Sequence, residues 1–553
     1  MSPYPGGRWE PGPAAYGADV RTGVSIRMDD GVVLRATVAY PTDRASGRRA
    51  AGRFPVVIEH SVYPEAVGFG SGPVDTYFTE HGYISVHVNS RGTGGSGGVG
   101  QFVSPREARD GAAVVRWAAR DLDGTDGRVA EVGCSWPGMQ ALADAAAVGP
   151  GSPLKAVVAA CAGMSTVQRM DVLVSGVPTA DFGFLNSAAD SLMDANQQTR
   201  DWYHALSDEV LAGGDAAYER SFWQQRIPID SARQIVDNQV PVLLWTGWHD
   251  VVGLGALRGY TALQNAVANR PVYAPMTPDQ RPDPRYQLFV GDWGHAEGLD
   301  QGVALQWLDT WVKDADTGLQ RTTTPLKLSE VGSDRWLKTA AYPTVDRYTR
   351  LLLGGGGTLT SASTAWGVDT IRWGDPSGLT YTSEPQPEAT TLSGPVSLTV
   401  YAASTNRNLQ LAARLYDVAP DGTADEITHG SIIGSLRDTD PGKSWFDSSG
   451  TPTWPWQTLQ GDSYLQPGQT TRLDLVLEPR QWSGPAGHRL RLELTTQAGV
   501  ALTAPQQASV PGATYQIQLG RSALNVPLQS PTELPEARCS VTPTSRGTCV
   551  PSD

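Results

Sequence analysis

Residues 128–149, RVAEVGCSWPGMQALADAAAVG, contain the turn that decides the fold. A short apolar strand leads into the turn, and an alanine-rich helix with a proline in its first turn follows it. Ser135 stands on that turn, where small residues are needed and where Gly133 and Gly138 supply them. A serine so placed projects its Oγ at the top of a sheet, beside the free N–H groups of the helix N-terminus. The stretch therefore predicts a nucleophilic serine, although Pro137 occupies a place where the strict pattern has glycine.

Strand and helix signals alternate along the chain on both sides of this turn. Segments rich in Val and Ile and bounded by Gly, Pro or Asp predict strands. They are GVSIRMDD, VVLRATVAYP, PVVIEHS and YISVHVN before the turn, and LKAVVAACAG, PVLLWTG and YQLFVGD after it. Residues 107–122, EARDGAAVVRWAARDL, have apolar residues at helical spacing. This alternation predicts a parallel sheet that is covered by helices on both faces.

The chain has 553 residues, too many for one hydrophobic core, so we expect several domains. Residues 165–238 carry helix signals without a convincing strand, which predicts a helical cap inserted between 1–164 and 239–345, the two parts of the α/β domain. Residues 346–553 carry short alternating segments between turn signals, a pattern typical of a jelly-roll β-sandwich. The predicted fold class is an α/β-hydrolase sheet with an inserted helical cap and a C-terminal jelly-roll domain.

Composition and charge exclude several classes of function. Forty-three basic and 57 acidic residues give a formal net charge of −14, and no long Lys/Arg run is present, so nucleic acid is not an expected partner. No stretch approaches a membrane span of 18 apolar residues. The sequence contains no CxxC, HExxH or clustered His/Asp pattern, so neither a metal nor another cofactor is expected. The expected partner is a small-molecule or peptide acyl substrate, and the oligomeric state is not predicted.

The four cysteines lead to two different predictions. Cys134 and Cys161 lie in apolar segments and are interpreted as small buried core residues. Cys539 and Cys549 lie ten residues apart in a loop-like segment, where they could close a small disulfide or remain two exposed thiols. The first residues, MSPYPGGRWEPGPAAYG, show neither the basic nor the apolar region of a signal peptide. Because a disulfide favours an oxidising compartment, secretion with the signal absent from this chain is favoured over a cytoplasmic location.

A nucleophilic serine needs a base, and in this type of sheet the order along the chain is serine, acid, histidine. Among the histidines after Ser135, His249 and His295 come just after strands of the α/β part. Asp250 follows VPVLLWTG and His295 follows YQLFVGD, so one edge of a parallel sheet would present both side chains. Asp292 is the competing acid, but it lies too close to His295 in the sequence to be the first choice. These positions predict a catalytic triad of Ser135, Asp250 and His295.

An oxyanion hole needs donors close to the nucleophile. The backbone N–H of Trp136, directly after the serine, is one candidate. Tyr63 follows the early strand PVVIEHS, where the second donor is usually supplied, although a tyrosine at a strand end can also be purely structural. The glycine-rich run at 91–98, RGTGGSGG, raises the alternative of a nucleotide site. No helix signal begins directly after this run and no acid marks the next strand end, which argues against dinucleotide binding.

Several blocks of the sequence together resemble the cocaine-esterase-like family, which includes X-prolyl dipeptidyl peptidases and α-amino acid ester hydrolases. The blocks follow that family's order over nearly the whole chain: IRMDDGVVLRATVAYP, VYP, NSRGTGGSGG, DGRVAEVGCSWPG, FWQQRIPIDSARQIVDNQVPVLLWTGWHD, VGDWGH and GHRLRLEL. The resemblance implies a serine hydrolase in which Ser135, Asp250 and His295 are the triad. It also implies that Tyr63 and the amide of Trp136 are the oxyanion donors.

Four residues near the expected pocket depart from the usual pattern of that family. Trp136 stands where the family usually has tyrosine, and Asn89 stands where it usually has aspartate. His249 replaces a more usual tyrosine, and Asp292 replaces a more usual proline. These departures concern the choice of substrate more than the catalytic step.

The predicted function is cleavage of an ester or amide bond through an acyl-enzyme intermediate. The tryptophans at 136, 248 and 293 suit a bulky apolar acyl group, and Trp248, His249 and Trp293 are the predicted substrate pocket.

Three alternatives to this function remain open at the level of sequence. An X-prolyl dipeptidyl peptidase or an α-amino acid ester hydrolase would need a carboxylate for a free amine, and Asp181, Asp190 and Asp194 are candidates. Acyl transfer to an amine or alcohol would use the same triad. A carbohydrate- or surface-binding protein would use the jelly roll and keep an inactive hydrolase fold. The intact order of serine, aspartate and histidine argues against this last class.

Replacement of Ser135 by alanine is expected to abolish turnover and to leave the fold intact, because alanine has no oxygen that can attack a carbonyl carbon. Hydrolysis assays and circular dichroism of the variant beside the wild type measure both effects. An active Ser135→Ala protein would contradict the predicted nucleophile.

Overall fold

The structure, a computed structural model, describes residues 4–5, 7–66, 68–164, 179–251, 253–497, 502–533 and 536–538. The strands of its first part are β1 (Tyr16–Arg27), β2 (Val33–Asp43), β3 (Phe54–Ser61), β4 (Ile84–Asn89), β5 (Thr125–Cys134), β6 (Leu154–Ala160), β7 (Val242–His249), β8 (Tyr286–Gly294), β9 (Leu326–Ser329) and β10 (Arg335–Thr339). The helices of that part are α1 (Tyr77–Glu80), α2 (Pro105–Arg120), α3 (Trp136–Ala147), α4 (Thr179–Ser191), α5 (Gln197–Leu211), α6 (Ser221–Gln224), α7 (Ser231–Asp237), α8 (Leu254–Val267) and α9 (Gln301–Trp311).

Within the described residues, these strands form one mixed sheet. Its order is β1-β2-β4-β3-β5-β6-β7-β8-β9-β10, and the last strand of the described residues, Glu536–Arg538, pairs with β10. From β4 to β9 in this order, all neighbours pair in parallel. Their carboxyl ends therefore lie along one edge, where Ser135, Asp250 and His295 directly follow β5, β7 and β8. The predicted α/β fold class is confirmed, and the candidate residues share one sheet edge.

Helices cover both faces of this sheet, as its nearly continuous apolar strands require. Side chains alternate along a strand, so Val56 and Ile58 of β3 pack on one face and Val57 packs on the other. Helices α2, α3 and α8 cover the first face, and α1 and α9 cover the second. Trp245 of β7 and Trp307 of α9 are completely buried in the second face. The sheet is thus a rigid support for the edge that carries the candidate residues.

Helices α4 to α7 form the inserted helical segment between β6 and β7. The loop after β4 holds this segment at the carboxyl edge of the sheet. The Asn196 N–H donates to the Gly92 carbonyl at 2.8 Å, and the Gly100 N–H donates to the Thr199 hydroxyl at 3.0 Å. The glycine-rich loop therefore contacts the cap. Residues 165–178, where the predicted cap begins, lie outside the described residues.

Helix α3 begins directly after Ser135 and packs closely on β5 and β6. Two glycines permit this approach. A Cβ on Gly133 would lie 2.5 Å from the carbonyl carbon of Pro137, and a Cβ on Gly138 would lie 2.5 Å from the carbonyl oxygen of Ala160. Both distances are shorter than any real Cβ contact, so neither position accepts a side chain without backbone movement. Pro137 costs no hydrogen bond, because its missing N–H lies in the first helical turn.

A buried polar pair joins α3 to β3. His60 Nδ1 lies 2.9 Å from Asp144 Oδ2, and neither side chain is more than 1 % exposed. Gln140 donates to the other carboxylate oxygen of Asp144 at 2.8 Å. Burial alone would lower the pKa of His60, but the Asp144 carboxylate raises it by more than burial lowers it. The pKa of His60 is therefore above its ordinary value. These contacts fix the rotation of α3 about its axis and hence the direction of its N-terminus.

A second, β-rich domain follows. Its strands are β11 (Thr349–Gly354), β12 (Thr358–Thr360), β13 (Gly367–Arg372), β14 (Leu379–Ser383), β15 (Thr390–Ser404), β16 (Gln410–Val418), β17 (Ala424–Ile433), β18 (Trp445–Phe446), β19 (Pro452–Trp454), β20 (Thr471–Gly484), β21 (Arg489–Thr495), β22 (Thr514–Leu519), β23 (Ala523–Val526) and β24 (Leu528–Gln529), before the terminal β25 (Glu536–Arg538). A short helix, α10 (Ala504–Gln507), interrupts them. The main order is β13-β22-β15-β23-β11-β12-β14-β21-β16-β17, with β20 and β24 also paired to β15. This domain has a separate apolar core.

The two domains meet at an arginine and a group of tryptophans. The guanidinium of Arg258 in α8 lies 4.2 Å from the ring centroid of Trp445, 4.6 Å from that of Trp454 and 5.1 Å from that of Trp456. Such cation–π contacts are strongest where water is excluded, and all three indoles are buried. The β-rich domain is therefore packed against the helix that follows Asp250.

Two further sequence predictions concern the chain as a whole. No helix in the described part of the chain is long and apolar enough to cross a membrane. Cys539 and Cys549 lie outside the described residues, so their disulfide stays a prediction.

Gly138→Ala is expected to destabilise the protein by about 1–3 kcal/mol, because the new methyl group would overlap the Ala160 carbonyl oxygen and force α3 away from β6. Urea unfolding followed by circular dichroism measures this change.

Gly259→Ala in α8 is the matched control for that variant. Its Cβ would lie no closer than 3.4 Å to any neighbour, and alanine in a helix interior is favoured over glycine by roughly 0.5–1 kcal/mol. If both variants had the same urea midpoint of unfolding as the wild type, the close packing of α3 on β6 would not contribute to stability as proposed.

Candidate active site

Ser135 lies between β5 and α3 in a backbone conformation that L-amino acids rarely adopt, with φ 65° and ψ −124°. Its N–H donates to the Ala160 carbonyl of β6 at 3.0 Å, and its carbonyl accepts from the Met139 N–H at 2.9 Å. Its side chain makes no capping hydrogen bond to α3. The first N–H groups of α3, including that of Trp136, also have no partner within the helix. They can therefore stabilise negative charge that develops beside the serine Oγ.

Asp250 and His295 meet at the carboxyl ends of β7 and β8. Asp250 Oδ1 lies 2.7 Å from His295 Nδ1, and the Thr246 hydroxyl donates to Asp250 Oδ2 at 3.0 Å. The Asp250 side chain is fully buried, whereas that of His295 is 33 % exposed. Since Nδ1 is bonded to the carboxylate, Nε2 is the ring nitrogen that remains available for proton transfer. The pair thus has the geometry of an orienting acid and an accessible base.

Tyr63 lies two residues after the end of β3, and its phenol forms a hydrogen bond with the side chain of Ser135. Burial raises the pKa of the phenol above its ordinary value, and the hydrogen bond with Ser135 offsets part of that rise. The phenol therefore keeps its proton at neutral pH. In this position it can donate to an oxyanion that forms next to Ser135.

Two residues that sequence reasoning did not assign hold the backbone of Tyr63. The Nε2 atom of His87 and the Nδ2 atom of Asn89 each lie 3.0 Å from the Tyr63 carbonyl oxygen. The Ser61 hydroxyl accepts from the Tyr63 N–H at 3.1 Å. Asn89 was noted only as a departure from the family pattern. One signal was present: two polar residues two positions apart in an apolar strand share one face of the sheet.

The structure corrects the interpretation of Cys134 and Cys161 as two separate core residues. Both are buried, as predicted, but they form a disulfide between the ends of β5 and β6. The two strands pair in parallel, which brings the Cα atoms of residues 27 positions apart in sequence to 5.0 Å. The pairing was missed because it depends on which strands are neighbours, and local sequence patterns do not contain that information.

The same disulfide lies against the candidate acid and base. The Sγ atom of Cys161, a carboxylate oxygen of Asp250 and a ring nitrogen of His295 all lie within 4.8 Å of one another. Such a grouping resembles a set of metal ligands. However, its sulfur is bonded to Cys134 and so offers no thiolate, and its carboxylate already binds the imidazole.

The predicted pocket residues have partners of their own. Trp248 is 4 % exposed, and its indole N–H donates to the Ser329 carbonyl of β9 at 2.6 Å. Trp293 contacts the rings of Trp245 and Trp336. These contacts place both indoles among other protein side chains, so their part in a substrate pocket remains a prediction.

Asp292, the competing acid, pairs with His249. The His249 Nε2 atom lies 2.8 Å from Asp292 Oδ1, and both side chains are about half exposed. Because Asp292 binds this second imidazole, Asp250 is the acid that the structure brings to His295.

Trp136 contributes its backbone rather than its side chain to the candidate site. Its indole is 2 % exposed and packs edge to face on Phe102, with ring centroids 4.7 Å apart, and on Tyr203 of α5 at 6.1 Å. The departure from tyrosine at this position therefore supplies packing between α3 and the cap.

The three predicted amine-binding acids are not brought together by any described contact. Asp190 pairs with His204 at 3.0 Å on the exposed surface of the cap. The Asp194 carbonyl accepts from the Gly94 N–H at 3.2 Å. Asp181 lies in α4, and its side chain is outside the described part of the chain.

Comparison with known proteins finds two matching family models and related sequences. Residues 30–297 match the family model of the X-Pro dipeptidyl-peptidase S15 family. Residues 276–516 match the model of the X-Pro dipeptidyl-peptidase C-terminal non-catalytic domain. A curated relative, the Mycobacterium bovis protein named "Putative serine esterase Mb1866c", is 24 % identical over an alignment of 611 positions, covering 90 % of this chain and 93 % of the relative.

Solved structures share the fold at low sequence identity. A CocE/NonD family hydrolase from Staphylococcus aureus superposes with a TM-score of 0.74 at 18 % identity, covering 92 % of this chain and 93 % of that one. An α-amino acid ester hydrolase superposes with a TM-score of 0.66 at 17 % identity, covering 94 % and 98 % of the two chains. The two family models together span residues 30–516, so the chain contains an X-Pro dipeptidyl-peptidase S15 family domain followed by an X-Pro dipeptidyl-peptidase C-terminal non-catalytic domain.

Proposed function

We propose that this hydrolase is a serine esterase that cleaves carboxylic ester or amide bonds through an acyl-enzyme on Ser135. The observation that carries the proposal is the 2.7 Å contact between the accessible imidazole of His295 and the fully buried carboxylate of Asp250. The pair lies on the sheet edge that also holds the strained Ser135. A buried acid that binds Nδ1 prepares the imidazole to act as a general base at Nε2.

Acylation begins as Ser135 Oγ attacks the substrate carbonyl carbon and His295 Nε2 takes the hydroxyl proton. Asp250 keeps the imidazole in the correct tautomer and stabilises the imidazolium. The Tyr63 phenol and the Trp136 N–H bind the oxyanion, and each donor lowers the barrier by about 3 kcal/mol. His295 then gives its proton to the departing alcohol or amine.

Deacylation repeats the same steps with water. His295 removes a proton from a water molecule, whose oxygen attacks the acyl carbon, and the proton then returns to Ser135 Oγ as the acid product leaves. An added alcohol or amine that replaced this water would yield acyl transfer by the same route.

Peptidase activity is the second candidate, because the matched family model carries the description of an X-Pro dipeptidyl-peptidase. A free N-terminal amine needs a carboxylate that is not already paired. Among the predicted acids, Asp190 binds His204 on an exposed surface, and Asp194 is known here only through its backbone contact. Asp190 is therefore already paired, and an ester substrate without a free amine is the first choice.

Tyr63→Phe is expected to lower kcat by about 10²–10³-fold with little change in KM, because the lost hydroxyl can no longer donate to the developing oxyanion, whereas its hydrogen bond with Ser135 in the resting enzyme binds no substrate. Steady-state kinetics with a p-nitrophenyl ester measures both constants. Tyr381→Phe is the matched control, since it removes a tyrosine hydrogen bond to Asp369 within the β-rich domain. Equal kcat values for Tyr63→Phe and the control would contradict the assignment of Tyr63 as an oxyanion donor.

The two substrate classes are separated by N-acetylation. We expect hydrolysis of p-nitrophenyl esters of apolar acids. We also expect that N-acetylation of an amino acid p-nitrophenyl ester changes kcat/KM by less than about tenfold. In the proposed esterase no carboxylate binds the free amine, so acetylation removes no ion pair with the substrate. A dipeptidyl p-nitroanilide with proline in its second position is measured beside them. A fall of several hundredfold on acetylation, with rapid release from the p-nitroanilide, would instead assign the protein as a dipeptidyl peptidase.

A further inference from the structure

The Cys134–Cys161 disulfide lies next to the candidate nucleophile and close to the candidate acid and base. Cys134 directly precedes Ser135. Cys161 directly follows β6, the strand between the nucleophile strand β5 and the acid strand β7. Its Sγ atom lies within 4.8 Å of a carboxylate oxygen of Asp250 and of a ring nitrogen of His295. Both cysteines are at most 1 % exposed, so the bond is enclosed by the groups that it connects.

The residues next to this bond are held in strained backbone conformations. Ser135 has φ 65° and Cys161 has φ 49°, and both values lie in the left-handed region that L-residues avoid. The Cys161 N–H donates to the Trp245 carbonyl of β7 at 2.7 Å, and the Ser135 N–H donates to the Ala160 carbonyl of β6 at 3.0 Å. The disulfide therefore links Cys161 covalently to the residue that precedes Ser135, and the Cys161 hydrogen bond extends the link to the strand that leads to Asp250.

The loop after β3 packs on the same bond. A Cβ on Gly68 would lie 2.5 Å from the Cβ of Cys134 and 3.4 Å from its Sγ. Phe69 of this loop contacts the ring of Trp245, with centroids 6.1 Å apart. The disulfide is thus packed between the nucleophile turn, the Asp250–His295 pair and the loop that follows Tyr63.

We propose that the Cys134–Cys161 disulfide is a positioning group for catalysis, which holds the Ser135 turn in register with the Asp250–His295 pair. This inference rests on the proposed function. The disulfide takes no part in bond making, and its effect is on the distance and direction between the nucleophile and its base. A misplacement of reacting groups by about 1 Å can lower the rate 10²-fold, so a shift of the Ser135 turn by a fraction of 1 Å is expected to lower kcat measurably.

Reduction would have a second consequence at the acid. A phosphine reductant takes up the oxygen of water and becomes the phosphine oxide, while each sulfur gains one electron and one proton. The Cys161 thiol that forms would lie beside the Asp250 carboxylate and could donate to it. That contact competes with the hydrogen bond between Asp250 and His295 Nδ1. A variant that keeps the Cys161 thiol is therefore expected to be less active than one that lacks both thiols.

The test compares three proteins: the wild type, Cys134→Ala/Cys161→Ala and Cys134→Ala. The double variant is expected to lose about tenfold in kcat with KM changed less than twofold, and the single variant is expected to lose more. Assays run well below the unfolding temperature of each protein, checked by circular dichroism. A disulfide that only stabilised the fold would leave kcat unchanged under those conditions.

A substrate-independent measurement accompanies the kinetics. The rate of fluorophosphonate labelling of Ser135 is expected to fall in the same order as kcat. Wild-type protein reduced by a phosphine is expected to lose activity and to regain it on reoxidation, and the double variant is expected not to respond to the reductant.

Two results would overturn the inference. One is a double variant with wild-type kcat and wild-type labelling rate. The other is alkylation of both cysteines in denatured but unreduced wild-type protein, since a disulfide would block that reaction. Failure of the proposed function is distinguishable, because it would appear as no hydrolysis and no labelling in the untreated wild type, whatever the state of the cysteines.

Discussion

Ser135 is held in a backbone conformation that costs about 1–3 kcal/mol, and much of the surrounding structure serves to keep it there. Its N–H is bound by Ala160, and its carbonyl is bound by the first turn of α3. Two glycines let α3 approach β5 and β6 closely enough for these bonds to form. The buried pair of His60 and Asp144 attaches α3 to β3 of the same sheet. The strain is useful because it lifts the hydroxyl out of the helix and leaves the first N–H groups of α3 free to bind an oxyanion.

The rest of the site depends on the order of strands in the sheet. Strands β3 and β4 supply Tyr63 and the side chains that bind its carbonyl, whereas β7 and β8 end at Asp250 and His295. The nucleophile strand β5 lies between these two groups, with β6 beside it. A site assembled over six strands tolerates wide change elsewhere, provided that the sheet order is kept.

Features that local patterns encode could be predicted from the sequence. The strand–turn–helix at 128–149, the α/β alternation and the β-rich C-terminal part all arise from short-range periodicity and turn chemistry. The chain order of serine, acid and histidine pointed to Asp250 and His295, which the structure places 2.7 Å apart. The disulfide and the contacts of His87 and Asn89 with Tyr63 were missed, because they depend on which strands are neighbours and in what register. The substrate pocket at Trp248 and Trp293 stays a prediction, because the position of a tryptophan in the sequence does not determine which way its indole faces.

The central claim is that Ser135 is an activated nucleophile whose reactivity depends on His295 and Asp250. The most direct test treats the folded protein with a fluorophosphonate probe and identifies the labelled peptide by mass spectrometry, beside His295→Ala and Asp250→Ala variants. We expect one adduct on Ser135 in the wild type and markedly slower labelling in both variants. An adduct on another serine, or labelling of Ser135 at the same rate in all three proteins, would show that Ser135 is not such a nucleophile.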